Sequence, residues 1–119
     1  MANDFKRICT PDISHSSNTT IYAVPAGPSS AALESIVIGI TMANKTSSGV
    51  TASIFIDNED GTNDVYIVKD ASIPAGAALE VMSGNKLVLM NDGSNADNLE
   101  ALASAASSVD VTVSVLEDV

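Results

Sequence analysis

Leu33-Glu34-Ser35-Ile36-Val37-Ile38-Gly39-Ile40-Thr41-Met42-Ala43-Asn44, followed after Lys45-Thr46-Ser47-Ser48-Gly49 by Val50-Thr51-Ala52-Ser53-Ile54-Phe55-Ile56-Asp57, is the stretch that decides the fold. The first run is too apolar and too β-branched for a loop. The second alternates apolar with small polar side chains, the period of two expected of a half-buried strand. The polar, glycine-ended connection has hairpin length, so the runs are expected to pair as one long hairpin, with Ile36, Ile38 and Ile40 on its buried face. Two such strands cannot cover themselves, and the rest of the chain must supply a second sheet.

Outward from this stretch the pattern is one of short strands and turns. Thr19 to Val24 alternates and stops at Pro25-Ala26-Gly27-Pro28, where proline cannot donate to a ladder. Downstream, the acidic turn from Asp57 to Asp64 leads into Val65-Tyr66-Ile67-Val68-Lys69, and Ile73-Pro74-Ala75-Gly76 stops the chain again. Leu79 to Met82 and Lys86 to Met90 flank Ser83-Gly84-Asn85, a second hairpin signal. Asn98 to Ala106 has helix-forming Ala and Leu, but its polar residues Asn98, Glu100 and Ser104 share one phase of a two-residue repeat, which favours a strand. The last element sets valine at 109, 111, 113 and 115 against Asp110, Thr112 and Ser114. Pro-Ala-Gly recurs at 25–27 and 74–76, each time ahead of Ala-Ala-Leu-Glu, a weak internal echo. Seven or eight short strands without alternating helices predict an all-β, antiparallel, jelly-roll-like sandwich over residues 19–119.

Residues 1–18 show no sustained periodicity and are expected to form an extended N-terminal arm. Phe5, Ile8 and Ile13 are more large apolar side chains than a solvated tail needs, and Lys6 and Arg7 bring positive charge to an otherwise acidic chain. These five residues are the expected protein interface.

Of 119 residues, 45% are hydrophobic but only 3% aromatic, with no Trp, so a thin aliphatic core is expected rather than an aromatic-lined ligand pocket. A net charge of −10 would repel phosphate backbones and anionic lipid surfaces, which argues against nucleic-acid and membrane partners. One cysteine, Cys9, excludes an intrachain disulfide or a cysteine-based zinc site, and a thiol beside Lys6 and Arg7 is expected to be inert. Met1 to Arg7 does not read as a signal peptide, so the sequons at Asn18 and Asn44 are expected to be silent. Asp57, Glu59, Asp60 and Asp64 are weak candidates for a hard cation, but Gly61 falls fifth rather than sixth from Asp57 and no Glu stands twelfth, so a solvated turn is expected. A lone His15 in a Ser-rich arm does not make a catalytic base and is expected to be a surface histidine. No catalytic residues and no cofactor are expected.

The strand-and-turn patterns of Thr19 to Gly27, the run ending Met42-Ala43-Asn44, Ile73 to Gly76, Lys86 to Leu89 and Ala105 to Glu117 resemble small β-sandwich virion proteins of tailed bacteriophages. The resemblance implies a non-enzymatic structural role, as capsid cement or decoration or else at the neck, collar, tail or fibre. It further implies other virion proteins as partners (the major capsid protein or neck and tail proteins), self-association with a trimer favoured, and a place on a virion assembled in the host cytoplasm. The rival class is a carbohydrate-binding sandwich for host attachment, for which only Phe5, Tyr22, Phe55 and Tyr66 could stack on a sugar ring.

Overall fold

The computed structural model describes residues 3–57, 64–82 and 86–118. Its strands are β1 (Asn3–Thr10), β2 (Thr19–Ala23), β3 (Leu33–Asn44), β4 (Val50–Asp57), β5 (Asp64–Ile73), β6 (Ala78–Glu80), β7 (Leu87–Asn91), β8 (Asn98–Ala103) and β9 (Val109–Asp118). The larger sheet runs β1-β9-β3-β6, with β7 also on β3, and the smaller runs β2-β8-β4-β5; every pairing is antiparallel. β6 and β7 follow one another along the same side of β3, opposite residues 41–43 and 33–37. Counted as one interrupted strand, they reduce the architecture to the eight strands of a double-sheet jelly roll.

The hairpin expected from Leu33 to Asp57 does not form. β3 lies in the larger sheet and β4 in the smaller, so Lys45 to Gly49 is a corner between layers. Each run buries its own apolar face against the core, β3 through Val37, Ile40 and Met42 and β4 through Val50, Ala52 and Ile54. Asn44 ties the corner: its buried amide donates to the carbonyls of Ser48 and Ile73 at 2.8 and 3.0 Å, and its Oδ1 accepts from Thr46 N. The sequon at Asn44 is therefore occupied by the fold. The hairpin signal around 83–85 is likewise not a hairpin, since its flanking strands both pair with β3; residues 83–85 themselves lie outside the described residues.

β9 follows its valine alternation, with Val109, Val111, Val113 and Val115 all buried. On β3 the inward phase changes. Leu33, Ser35 and Val37 point in, a register shift against β9 falls between Val37 and Gly39, and Ile40 and Met42 then point in. Ile40 thus lines the core as expected, whereas Ile36 and Ile38 face outward: the extra residue of a bulge moves one half of a strand to the other phase. β8 resolves the helix-or-strand ambiguity as a strand, with Leu99, Ala101 and Ala103 inward.

The segment read as an arm is built into the sandwich. β1 pairs along its whole length with β9, from Asn3↔Asp118 to Thr10↔Val111. Ile13 is fully buried in the chain's own core, and its N–H donates to Val109 O at 3.0 Å. Without β1, β9 would be a bare ten-residue edge. Both Pro-Ala-Gly turns do the same work, each carrying the chain from an edge of the smaller sheet (β2 or β5) to the larger one. Gly76, at φ 70°, is required for the second of these turns, which Ala77 N closes on Pro74 O.

Candidate interaction surface

The inward phase of β9 assigns its outward side chains, and register carries the assignment across the sheet. Phe5 of β1 lies opposite Leu116 of β9, Leu116 opposite Ile36 of β3, and Ile36 opposite Val88 of β7. One row of large apolar side chains therefore crosses four strands on the solvent side of the larger sheet. Phe5 is 73% exposed and Val88 55%; Met90 and Ile38, at 47% and 39%, flank the row. An antiparallel sheet with one face on a core normally turns polar residues to water on the other. A contiguous exposed apolar patch is instead the mark of a surface that another molecule covers.

Arg7 and Glu34 lie at the rim of this patch, both exposed; Arg7 is opposite Ser114, and Glu34 opposite Met90. Of the five expected interface residues, Phe5 and Arg7 face out. Ile8 is half-buried on the inward phase opposite Val113, and Ile13 is in the core. Lys6 is held within the chain: its Nζ lies 2.9 Å from Oε1 of Glu117, a side chain only 2% exposed.

Glu117 continues the inward phase of the β9 valines and closes that end of the sandwich. The Tyr22 hydroxyl donates to its Oε2 at 2.5 Å and lies 2.7 Å from Ser35 Oγ. Burial pushes the Tyr22 phenol well above its ordinary value, and the neighbouring carboxylate adds to the shift. The same carboxylate raises Lys6, first by hydrogen bonding and then by charge. At the other end of β9, Lys45 bridges Asp12 and Asp110 and holds the Asp110 carboxyl below the usual range.

The remaining candidates do not converge. Asp57 and Asp64 are exposed register partners where β4 ends and β5 begins, while Glu59 and Asp60 lie outside the described residues. No group of three or more potential metal-ligating side chains occurs among the described residues. Cys9 is exposed on β1, and His15 is exposed in a loop of serines. The four aromatic side chains are dispersed. Phe5 is on the larger sheet and Tyr22 is inside; Phe55 is buried against Tyr66, whose ring is already met by Lys69 Nζ at 5.2 Å. No helix among the described residues is long and apolar enough to cross a membrane.

The class these features define is an all-β jelly roll with an apolar outer sheet face. No protein-family model matches the sequence, and no curated protein is similar to it. Among solved structures, the chain is similar in fold to a subunit of Bacillus endospore appendages, described as a novel family of disulfide-linked pili. The TM-score is 0.53 at 13% identity, over 97% of this chain and 86% of that one. A chain of infectious bursal disease virus, Gx strain, aligns with a TM-score of 0.48 at 14% identity; 97% of this chain spans 32% of that one.

Proposed function

We propose that the chain is a non-enzymatic structural protein of a tailed-phage virion, most simply a capsid cement or decoration protein. It docks on a neighbouring virion protein through the outer face of the larger sheet. The observation that carries this reading is the row Phe5–Leu116–Ile36–Val88, in which Phe5 and Val88 are exposed and Leu116 and Ile36 half-buried, flanked by the exposed Met90 and Ile38. Covering each of these side chains contributes roughly 1.5–3 kcal/mol where burial is complete. Repeated over many copies on a symmetric particle, such a contact stabilises the shell without any chemistry. The strand-and-turn resemblance to phage virion sandwiches supports the same reading, and neck or tail positions would use the same face.

The test is to add tagged protein to particles lacking it and count bound copies after sedimentation. Val88→Asp with Met90→Asp, at two exposed positions on β7, should leave the fold intact and abolish binding. Undiminished binding by that variant would remove the proposal. A carbohydrate-binding module would instead show glycan-array binding as an isolated protein, lost on Tyr66→Ala.

A further inference from the structure

Four edges bound the two sheets, and three of them are blunted against adding another strand. β2 has five residues and a register shift between Thr20 and Tyr22. β5 shifts register twice against β4 and passes through Asp70 at φ 50°. The β6–β7 edge is broken into strands of three and five residues. β1 has no such interruption; its edge carries only the charges of Asp4, Lys6 and Arg7, which a pairing strand must match. Its eight residues keep one unbroken register with β9 and include no proline, and no described strand pairs with its far side.

We propose that β1 pairs antiparallel with β1 of a second copy of this chain across a two-fold axis, joining two larger sheets edge to edge. This does not depend on the virion reading. An axis perpendicular to the sheet keeps inward residues opposite inward ones, so the pairing must be centred on a residue. Centred on Asp4, Lys6 or Arg7, it sets a charge directly against its own copy, which is destabilising. Centred on Ile8, it sets Lys6 opposite the partner's Thr10 and Arg7 opposite the partner's Cys9, with no charge matched. Centred on Phe5, it sets Asp4 opposite the partner's Lys6 and Lys6 opposite the partner's Asp4. The Lys6 ammonium has three donors, so its contact with Glu117 leaves it able to meet that second carboxylate. The charges on β1 therefore select a register. In that register Phe5, the most exposed large apolar side chain among the described residues, meets its own copy, and the apolar row runs on into the second sheet.

Cross-linking reads the register. In a Cys9→Ser background, Phe5→Cys places two thiols at directly opposed positions, whose Cβ atoms lie about 4.5–5.5 Å apart. Arg7→Cys separates its two copies by four residues along the strands, about 13 Å. Mild oxidation of the full chain should convert Phe5→Cys to a disulfide-linked dimer and leave Arg7→Cys monomeric on non-reducing gels. Equal cross-linking of both variants, or none of Phe5→Cys, would overturn the proposal. Sedimentation equilibrium checks it independently: the native chain should be a dimer, and Asp4→Lys, at an exposed position, should shift it to monomer with its thermal melt retained. A native monomer or trimer would contradict it.

Discussion

At the scale of single residues, the side chain with most leverage is Glu117. A carboxylate removed from water is tolerable only when its lone pairs are used, and here Tyr22 and Lys6 use them. Tyr22→Phe should cost about 1–2 kcal/mol in urea melts, because Ser35 and Glu117 lose a buried partner. Glu117→Ala should cost more, since it also opens a cavity. The pH dependence has a definite sign. Tyr22 and Lys6 are both raised in the folded chain, so their contribution is complete below their unfolded values, near pH ~10, and is lost as pH rises through the folded ones. Stability should fall above pH ~10, less steeply in Tyr22→Phe. Asp110 is lowered by Lys45, so its contribution is present above pH ~4 and lost on acidification; Asp110→Asn should flatten the acid limb. Glu117 was open to sequence reasoning: the valine phase of 109, 111, 113 and 115 lands next on 117. Its partners were not, because Tyr22, Ser35 and Lys6 come from three other segments, and only topology brings them together.

At the scale of elements, the strands themselves were legible, whereas their pairing was less so. A period-two run shows that a strand exists, but short polar connections serve both hairpins and corners between sheets, as Lys45 to Gly49 shows. β1 escaped detection because its inward positions are Asp4, Lys6, Ile8 and Thr10, while Phe5 is outward. At the rim of the sandwich the inward phase meets Glu117 rather than aliphatic core, so the usual alternation is reversed. The bulge in β3 was equally hidden, since Ile36, Val37, Ile38 and Ile40 offer apolar residues on both phases. It is testable: Ile40→Asp should unfold the chain, as should Val111→Asp, because each buries an unpaired carboxylate at a cost comparable to a domain's whole stability. Ile38→Asp should remain folded by circular dichroism; unfolding there would contradict the outward assignment. Deleting residues 1–14 should destabilise the sandwich itself, since it removes both β1 and the buried Ile13.

At the scale of the molecule, the jelly roll encloses a thin aliphatic core and turns a row of apolar side chains outward on its larger sheet. Composition already pointed there: with 3% aromatic residues and five basic residues against fifteen acidic ones, stacking on sugars and neutralising phosphates are both poorly served. What composition could not reveal is where the surplus apolar side chains lie, because only register aligns Phe5, Leu116, Ile36 and Val88. EDTA should leave the melting temperature unchanged, since the spacing of Asp57, Glu59, Asp60 and Asp64 does not match a calcium loop and such a turn would bind too weakly to stabilise the fold by mass action. The attachment surface we propose is the outer face of the larger sheet. The most direct measurement is a density map of the particle with this chain placed in it. In such a map Phe5, Ile36, Val88 and Met90 should lie against a neighbouring virion protein. A map in which that face is open to solvent, with attachment through the smaller sheet, would contradict it.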